Sequence, residues 1–164
     1  MSLARWGGCF RHAPPRNTLG VLVWATEGTY DARAPIEAVW SQYADVARWP
    51  RWAEDIVWAS LDGPFQAGSS GRVRYRRTPS LRFTVVVVEA PRGYITEVPL
   101  LLARLTFDHR LTATEGGTRI AERISFSGPP AGLLGRIQGP RIKRSWPMAM
   151  ARLDALAQDR AASV

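Results

Sequence analysis

The sequence predicts one α+β domain, in which a first strand and two short helices precede a six-stranded antiparallel meander and a long C-terminal helix. Three observations support this prediction. The chain has 164 residues, 46% of them hydrophobic and 22% charged, which suits a single globular domain. Between residues 56 and 127 apolar residues alternate with polar ones, and after Pro129 they recur at helical spacing.

The first strand is predicted in VLVWATEGTY, residues 21–30, which is rich in β-branched and aromatic residues and is ended by Asp31. Pro35 suits the first turn of a helix that carries apolar residues at i, i+3, i+4 and i+7. Asp45 is placed to cap a second brief helix, which Pro50 should halt or kink before Trp52.

The six strands of the meander are predicted at 56–61, 72–77, 81–89, 94–100, 104–114 and 118–127. Their connections are short and rich in Gly and Pro, so consecutive strands must be antiparallel. The final helix is predicted from Pro129 to about Gln158. We expect Pro140 to open its main part and Pro147 to bend it, because proline donates no backbone hydrogen bond.

Composition excludes several classes of protein. No apolar run approaches the ~20 residues that cross a bilayer, and no export signal is recognisable, so a cytoplasmic protein is expected. Cys9 is the only cysteine and cannot form an internal disulfide, and with His12 and His109 it forms no zinc motif. We therefore expect no metal and no cofactor. Residues 1–19 are predicted to be a tail before the domain at 20–160, and residues 161–164 form a second short tail.

The net charge is +8, with 22 basic residues of which only Lys143 is a lysine. The arginines are dispersed and accompany no recognition motif, which argues against nucleic-acid binding. Two clusters stand out: an outward row on the second meander strand, joined by one arginine of the third, and a group early in the last helix. Their residues are Arg72, Arg74, Arg76 and Arg82, then Arg136, Arg141, Lys143 and Arg144. Each is interpreted as solvated decoration or, alternatively, as a surface for an acidic carrier protein or an anionic membrane.

Two segments resemble a known family. Residues 34–40, APIEAVW, resemble its A-P-x-E-x-V-W opening, and residues 45–52, DVARWPRW, resemble its D-x-x-R-W-P-x-W continuation. The chain thus resembles the START/Bet v 1-like (SRPBCC) superfamily over about residues 21–158, especially its bacterial polyketide cyclase/dehydrase branch. The resemblance implies a helix-grip fold, in which a curved seven-stranded antiparallel sheet wraps the C-terminal helix around a cavity for a hydrophobic ligand.

Two ionisable residues interrupt the inward apolar faces of the last two strands. His109 shares a face with Leu105, Phe107 and Leu111, and Glu122 shares one with the apolar residues of its own strand. A two-residue hairpin turn at Glu115-Gly116 would place His109 opposite Glu122, whereas a loop two residues longer would leave them on a diagonal. Counting across the preceding turns places Tyr94 and Thr96 inward, with Thr96 beside His109.

Within the implied fold, the predicted function is binding of a polyketide-like or aromatic molecule between the sheet and the last helix. If the protein is an enzyme, a cofactor-free cyclase or dehydratase is expected, with His109 as base, Glu122 orienting it, and Tyr75 or Tyr94 donating to a carbonyl. Two alternatives remain open: a non-catalytic lipid or quinone carrier or sensor, and a His109–Glu122 pair that only fills the sheet. The predicted ligand-binding residues are Trp40, Tyr43, Phe83, Tyr94, Thr96, Phe107, Phe126, Trp146 and Met150. The oligomeric state is not predicted.

Overall fold

The computed structural model describes residues 23–163. Its elements follow the predicted order of one strand, two short helices, six strands and one long helix. The strands are β1 Val23–Ala32, β2 Ile56–Leu61, β3 Ser70–Tyr75, β4 Ser80–Glu89, β5 Gly93–Leu100, β6 Ala103–Thr114 and β7 Gly117–Ser127. The helices are α1 Ile36–Ala44, α2 Trp49–Trp52 and α3 Ala131–Ala161. The predicted tail at 1–19 lies outside the described residues.

All seven strands form one antiparallel sheet in the order β1-β7-β6-β5-β4-β3-β2. Register shifts at Ile56/Trp58 and Val85/Val87 mark irregularities of the bulge type, which bend strands locally. The sheet curves around α3, which packs on β1, β7 and α1. The helix-grip fold is confirmed.

The register of the last hairpin confirms the shorter of the two predicted turns. Thr114 pairs with Gly117, and His109 consequently lies directly opposite Glu122. The expectation that Thr96 lies beside His109 is wrong, because Tyr94 occupies that position and Thr96 pairs with Phe107. The reason is that the β5–β6 turn contains only Leu101 and Leu102. This short turn places His109 opposite Tyr94, two residues before the expected partner Thr96.

Two of the prolines behave differently from the prediction. Pro50 does not halt a helix; it lies in the first turn of α2, where its missing N–H is not needed. A 3₁₀ turn at Val46–Arg48 precedes α2, and the side chain of Asp45 makes no capping hydrogen bond to it. Pro140 does not open a separate helix either, because α3 is assigned as one helix from Ala131 onward.

Packing against β1 explains why α3 continues through Pro140. A Cβ atom on Gly135 would lie 2.1 Å from Cγ of Trp24, and one on Gly139 would lie 2.6 Å from its Cζ2. The two glycines lie one helical turn apart and leave a flat surface on which the indole of Trp24 packs. This contact holds the first half of α3 on the sheet and compensates for the missing backbone hydrogen bond.

A buried carboxylate joins α3 to the connection between β1 and α1. Asp154 accepts hydrogen bonds from the backbone N–H groups of Arg33 and Ala34, at 3.0 to 3.2 Å. Thr118 adds a hydrogen bond to the carbonyl oxygen of Ala34 at 2.8 Å. These contacts fix the end of α3 beside the sheet and so define the interior between them.

Candidate functional site

His109 and Glu122 lie side by side on the inward face of the sheet, each only 5% exposed. His109 Nδ1 lies 3.6 Å from Glu122 Oε2, beyond hydrogen-bond distance, and has no hydrogen-bond partner among the described residues. The Glu122 carboxylate instead accepts a hydrogen bond from Trp146 Nε1 on α3, at 2.5 Å. The carboxylate is therefore held by the helix, and one imidazole nitrogen is left without a partner.

Burial acts on the two groups in opposite directions, because it disfavours whichever form is charged. Burial raises the pKa of Glu122 from 4.5 to about 7, although the Trp146 hydrogen bond opposes the rise. Burial lowers the pKa of His109 from 6.5 to about 3. Both shifts favour the uncharged form, a neutral imidazole beside a carboxyl group that keeps its proton to higher pH than usual.

Aromatic rings enclose the imidazole of His109. Tyr94 stacks on it with ring centroids 4.3 Å apart, and Tyr43 lies at 5.0 Å. Phe107, two residues away on β6, is parallel to it at 6.3 Å. The hydroxyl of Tyr43 contacts Met150 Sδ at 3.5 Å, which links this ring cluster to α3. Burial, followed by the charge of Glu122, raises the pKa of Tyr43, so its hydroxyl keeps its proton.

The position of Trp146 depends on a glycine in β1. Gly28 is the Cα partner of Glu122 across the β1–β7 pair. A Cβ atom on Gly28 would lie 3.0 Å from Cζ3 of Trp146, which is tighter than normal packing. The absence of a side chain at Gly28 therefore lets the indole approach the sheet and reach the carboxylate beside it.

Some of the other predicted site residues lie near the His109–Glu122 pair, and others lie farther from it. Trp40 packs edge-on against Tyr94 at 6.1 Å, and Thr96 is buried one inward position further along β5. Tyr75 is partly buried on β3, and burial together with the charge of Glu122 raises its pKa.

Phe83 and Phe126 are buried against other partners. Phe83 packs on Trp49 at 5.4 Å, and Phe126 packs on Trp24 at 5.9 Å. The predicted set is thus brought together around His109 and Glu122 except for these two rings.

An open groove of about 500 Å³ lies next to this cluster. It is lined by Ser41, Ala44, Asp45, Val46, Ala47, Leu61, Gly63, Phe65 and Arg160. None of the predicted site residues lines it. The two are connected through Phe65, whose ring lies 5.1 Å from that of Tyr94, the ring stacked on His109. Phe65 and Tyr94 therefore separate the groove from the buried pair.

Sequence reasoning missed three residues of this region. Phe65 lies in the connection between β2 and β3, whose Gly and Pro residues indicate only a turn. Gln42 is buried on α1, and its Oε1 has no hydrogen-bond partner among residues 23–163. Asp154 interrupts the inward face of α3 one turn after Met150, and the criterion that singled out Glu122 would have found it.

The outer face of the sheet carries the predicted arginine row. Arg72, Arg74 and Arg82 are exposed, and none of them forms an ion pair within the part of the chain that the structure describes. Arg72 and Arg82 are direct Cα partners. Arg76 lies just beyond β3 and donates to the carbonyl oxygen of Glu54 at 2.7 Å.

Two features are absent from residues 23–163. These residues contain no helix long and apolar enough to span a membrane. They also contain no group of three or more His, Cys, Asp or Glu side chains arranged to hold a metal ion.

A curved seven-stranded sheet around a long C-terminal helix, with polar groups enclosed between them, defines a helix-grip protein. The sequence profile of the polyketide cyclase/dehydrase and lipid transport family matches residues 23–158. The chain therefore belongs to that family. This membership supports binding of a hydrophobic small molecule. No curated protein sequence gives a significant match.

Solved structures share the fold at low sequence identity. Ara h 8.0201 is 15% identical, with a TM-score of 0.65 over 85% of this chain and 99% of its own. Norcoclaurine synthase from Thalictrum flavum, a point mutant in complex with a transition-state analogue, is 12% identical, with a TM-score of 0.65 over 88% and 99%. The di-domain ARO/CYC StfQ of the steffimycin biosynthetic pathway is 14% identical, with a TM-score of 0.69 over 86% of this chain and 52% of its own.

Proposed function

We propose that the protein binds a hydrophobic, polyketide-like or aromatic carbonyl compound between the sheet and α3, and that Glu122 exchanges a proton with it. The observation that carries this proposal is a buried carboxylate whose pKa is raised to about 7, beside a neutral imidazole with an unpartnered nitrogen. A general acid or base works best when its pKa is near the operating pH. His109, with its pKa lowered to about 3, is a poor base at neutral pH.

The assignment exchanges the two roles predicted from the sequence. The Glu122 carboxylate would remove a proton from a carbon between two carbonyl groups, which leaves an enolate. A protonated tyrosine, Tyr75 or Tyr94, would donate a hydrogen bond to the enolate oxygen, since the pKa of each is raised. The carboxylic acid so formed would return the proton, either to carbon or to a hydroxyl group that leaves as water. His109 would position the substrate through its free nitrogen.

Enolisation tests the proposal, because cyclisation and dehydration both begin with it. The assay is exchange of the acidic protons of 1-phenyl-1,3-butanedione in D₂O, followed by NMR. We expect catalysed exchange whose rate rises with pH around 7 and disappears in Glu122→Gln. A matched control is Glu97→Gln, which removes a partly exposed carboxylate paired with Arg104 on the outer face. Equal loss in both variants, or exchange unaffected by Glu122→Gln, would refute the role of Glu122.

A non-catalytic carrier or sensor is the second candidate. It is favoured by the close packing of aromatic rings on His109, which leaves little room for the groups that a reaction needs. Mass spectrometry of an organic extract of the purified protein separates the two functions. A stoichiometric lipid or quinone, together with no catalysed exchange, would establish the carrier.

A further inference from the structure

Helix α3 is apolar on two sides. Trp146, Met150 and Leu153 face the interior and are buried. Leu133, Ile137 and Met148 are separated by four and eleven residues, spacings that return to one side of a helix, and each is more than half exposed. Amphipathic helices of globular domains normally have one apolar side. The outward apolar stripe of α3 is therefore not explained by the fold.

The β5–β6 turn carries two more exposed leucines. Leu101 is 89% exposed and Leu102 is 71% exposed. Leu102 has a φ of 61°, a left-handed conformation that favours Gly or Asn over a bulky residue. A Cβ atom on Gly128 would lie 2.3 Å from the carbonyl oxygen of Leu102, which places this turn beside the start of α3. A residue such as Gly or Asn would suit this turn better, and polar residues would make it more soluble. Residues that break local rules in this way are common at functional surfaces.

The charges on α3 from its start to residue 153 have one sign. Arg136, Arg141, Lys143 and Arg144 are exposed on α3, and residues 131–153 include no Asp or Glu. None of the four cations forms an ion pair with any described residue. By contrast, Arg119 and Arg123 on the outer face of the sheet pair with Asp31 and Glu27.

We propose that this apolar–basic surface, made by Leu101, Leu102, Leu133 and Ile137 with the four cations between residues 136 and 144, docks on an anionic phospholipid bilayer. Projecting leucines insert at the level of the headgroups, and unpaired cations attract lipid phosphates. A second copy of the chain would bring like charges together. A nucleic acid would leave the leucines exposed, and an acidic protein would need a pocket for the projecting turn.

Vesicle sedimentation with the full chain tests this inference. The vesicles are phosphatidylcholine alone or phosphatidylcholine mixed with phosphatidylglycerol. We expect binding to the anionic vesicles only, weakened by salt. The triple variant Arg141→Gln, Lys143→Gln, Arg144→Gln should weaken binding about ten-fold or more. The double variant Leu101→Ser, Leu102→Gly should also weaken binding while raising the melting temperature, since glycine suits a positive φ.

The control is Arg72→Gln, Arg74→Gln, Arg82→Gln, which removes the same charge from the outer face of the sheet. It should bind anionic vesicles within a factor of about two or three of the wild type. Equal loss in the control and in the α3 triple variant would overturn the proposal in favour of non-specific attraction. Absence of vesicle binding would also overturn it, as would tight binding of a single-stranded oligonucleotide or an acidic protein through the same residues.

Discussion

Replacement of Glu122 by Gln should stabilise the protein at high pH and leave it unchanged at low pH. Glutamine keeps an acceptor oxygen for Trp146 Nε1 and cannot ionise. In the wild type, the pKa of Glu122 is about 7 in the folded state and about 4.5 when unfolded. Folding therefore favours the protonated form, and the stability due to this group is complete below pH 4.5 and lost as the pH rises through 7.

The size of the effect follows from the two pKa values. The stability of Glu122→Gln relative to the wild type should rise from close to zero at about pH 4 to about 3 kcal/mol at about pH 8. Because both proteins are compared at the same pH, the other titrating groups largely cancel. Urea unfolding at a series of pH values, followed by circular dichroism, gives this difference directly.

A difference that falls with pH would refute the reasoning, because it would mean that folding stabilises the Glu122 anion. That outcome is expected if Glu122 and His109 form an ion pair. NMR provides a second check, since the chain has only two histidines, His12 and His109. With His12→Gln as the assignment control, the imidazole of His109 should be neutral at pH 5, and a charged imidazole there would exclude the neutral pair.

Three further predictions concern the same interior. His109→Phe should make the protein less sensitive to acid. In the wild type, the free energy of unfolding should fall by up to about 5 kcal/mol between pH 6.5 and pH 3, because only the unfolded imidazole takes up a proton. Acid unfolding curves of the two proteins measure this difference. Gly28→Ala should push on Trp146 and weaken its hydrogen bond to Glu122. Because that bond lowers the pKa of Glu122, the pH midpoint of the diketone proton exchange should move to higher pH. An unchanged midpoint would mean that the hydrogen bond persists. Asp154→Ala should lower the free energy of unfolding by about 2 to 3 kcal/mol, because two backbone N–H groups lose their acceptor, and a change below about 0.5 kcal/mol would contradict this role.

The fold could be predicted because its signals are local. Alternation and turn residues located every strand to within about two residues, and the Glu115-Gly116 turn led to the His109–Glu122 pairing. Errors arose where packing between distant segments overrides local rules. Pro140 continues a helix because Trp24 lies on Gly135 and Gly139, a contact that no spacing reveals.

The placement of the two polar residues was predictable from the sequence, but their protonation was not. Polar residues on apolar faces identified His109 and Glu122. The pKa values of the two groups depend on burial and, for Glu122, on the hydrogen bond from Trp146, whose approach is favoured because Gly28 has no side chain. Both are properties of the assembled interior, so strand periodicity could not decide which of the two groups changes its protonation near pH 7.

The position of Phe65 bears on how fast a bound molecule could be exchanged. The rings of Phe65 and Tyr94 lie one behind the other between the groove and the His109–Glu122 pair. A molecule that reaches Glu122 from the groove must therefore displace both rings. Gly63 and Gly68, on either side of Phe65, both have positive φ and no atoms crowding the position of a Cβ. Residence time would then depend on the motion of this loop, while affinity would depend on the interior. Substitutions at Phe65 could therefore alter the two quantities separately.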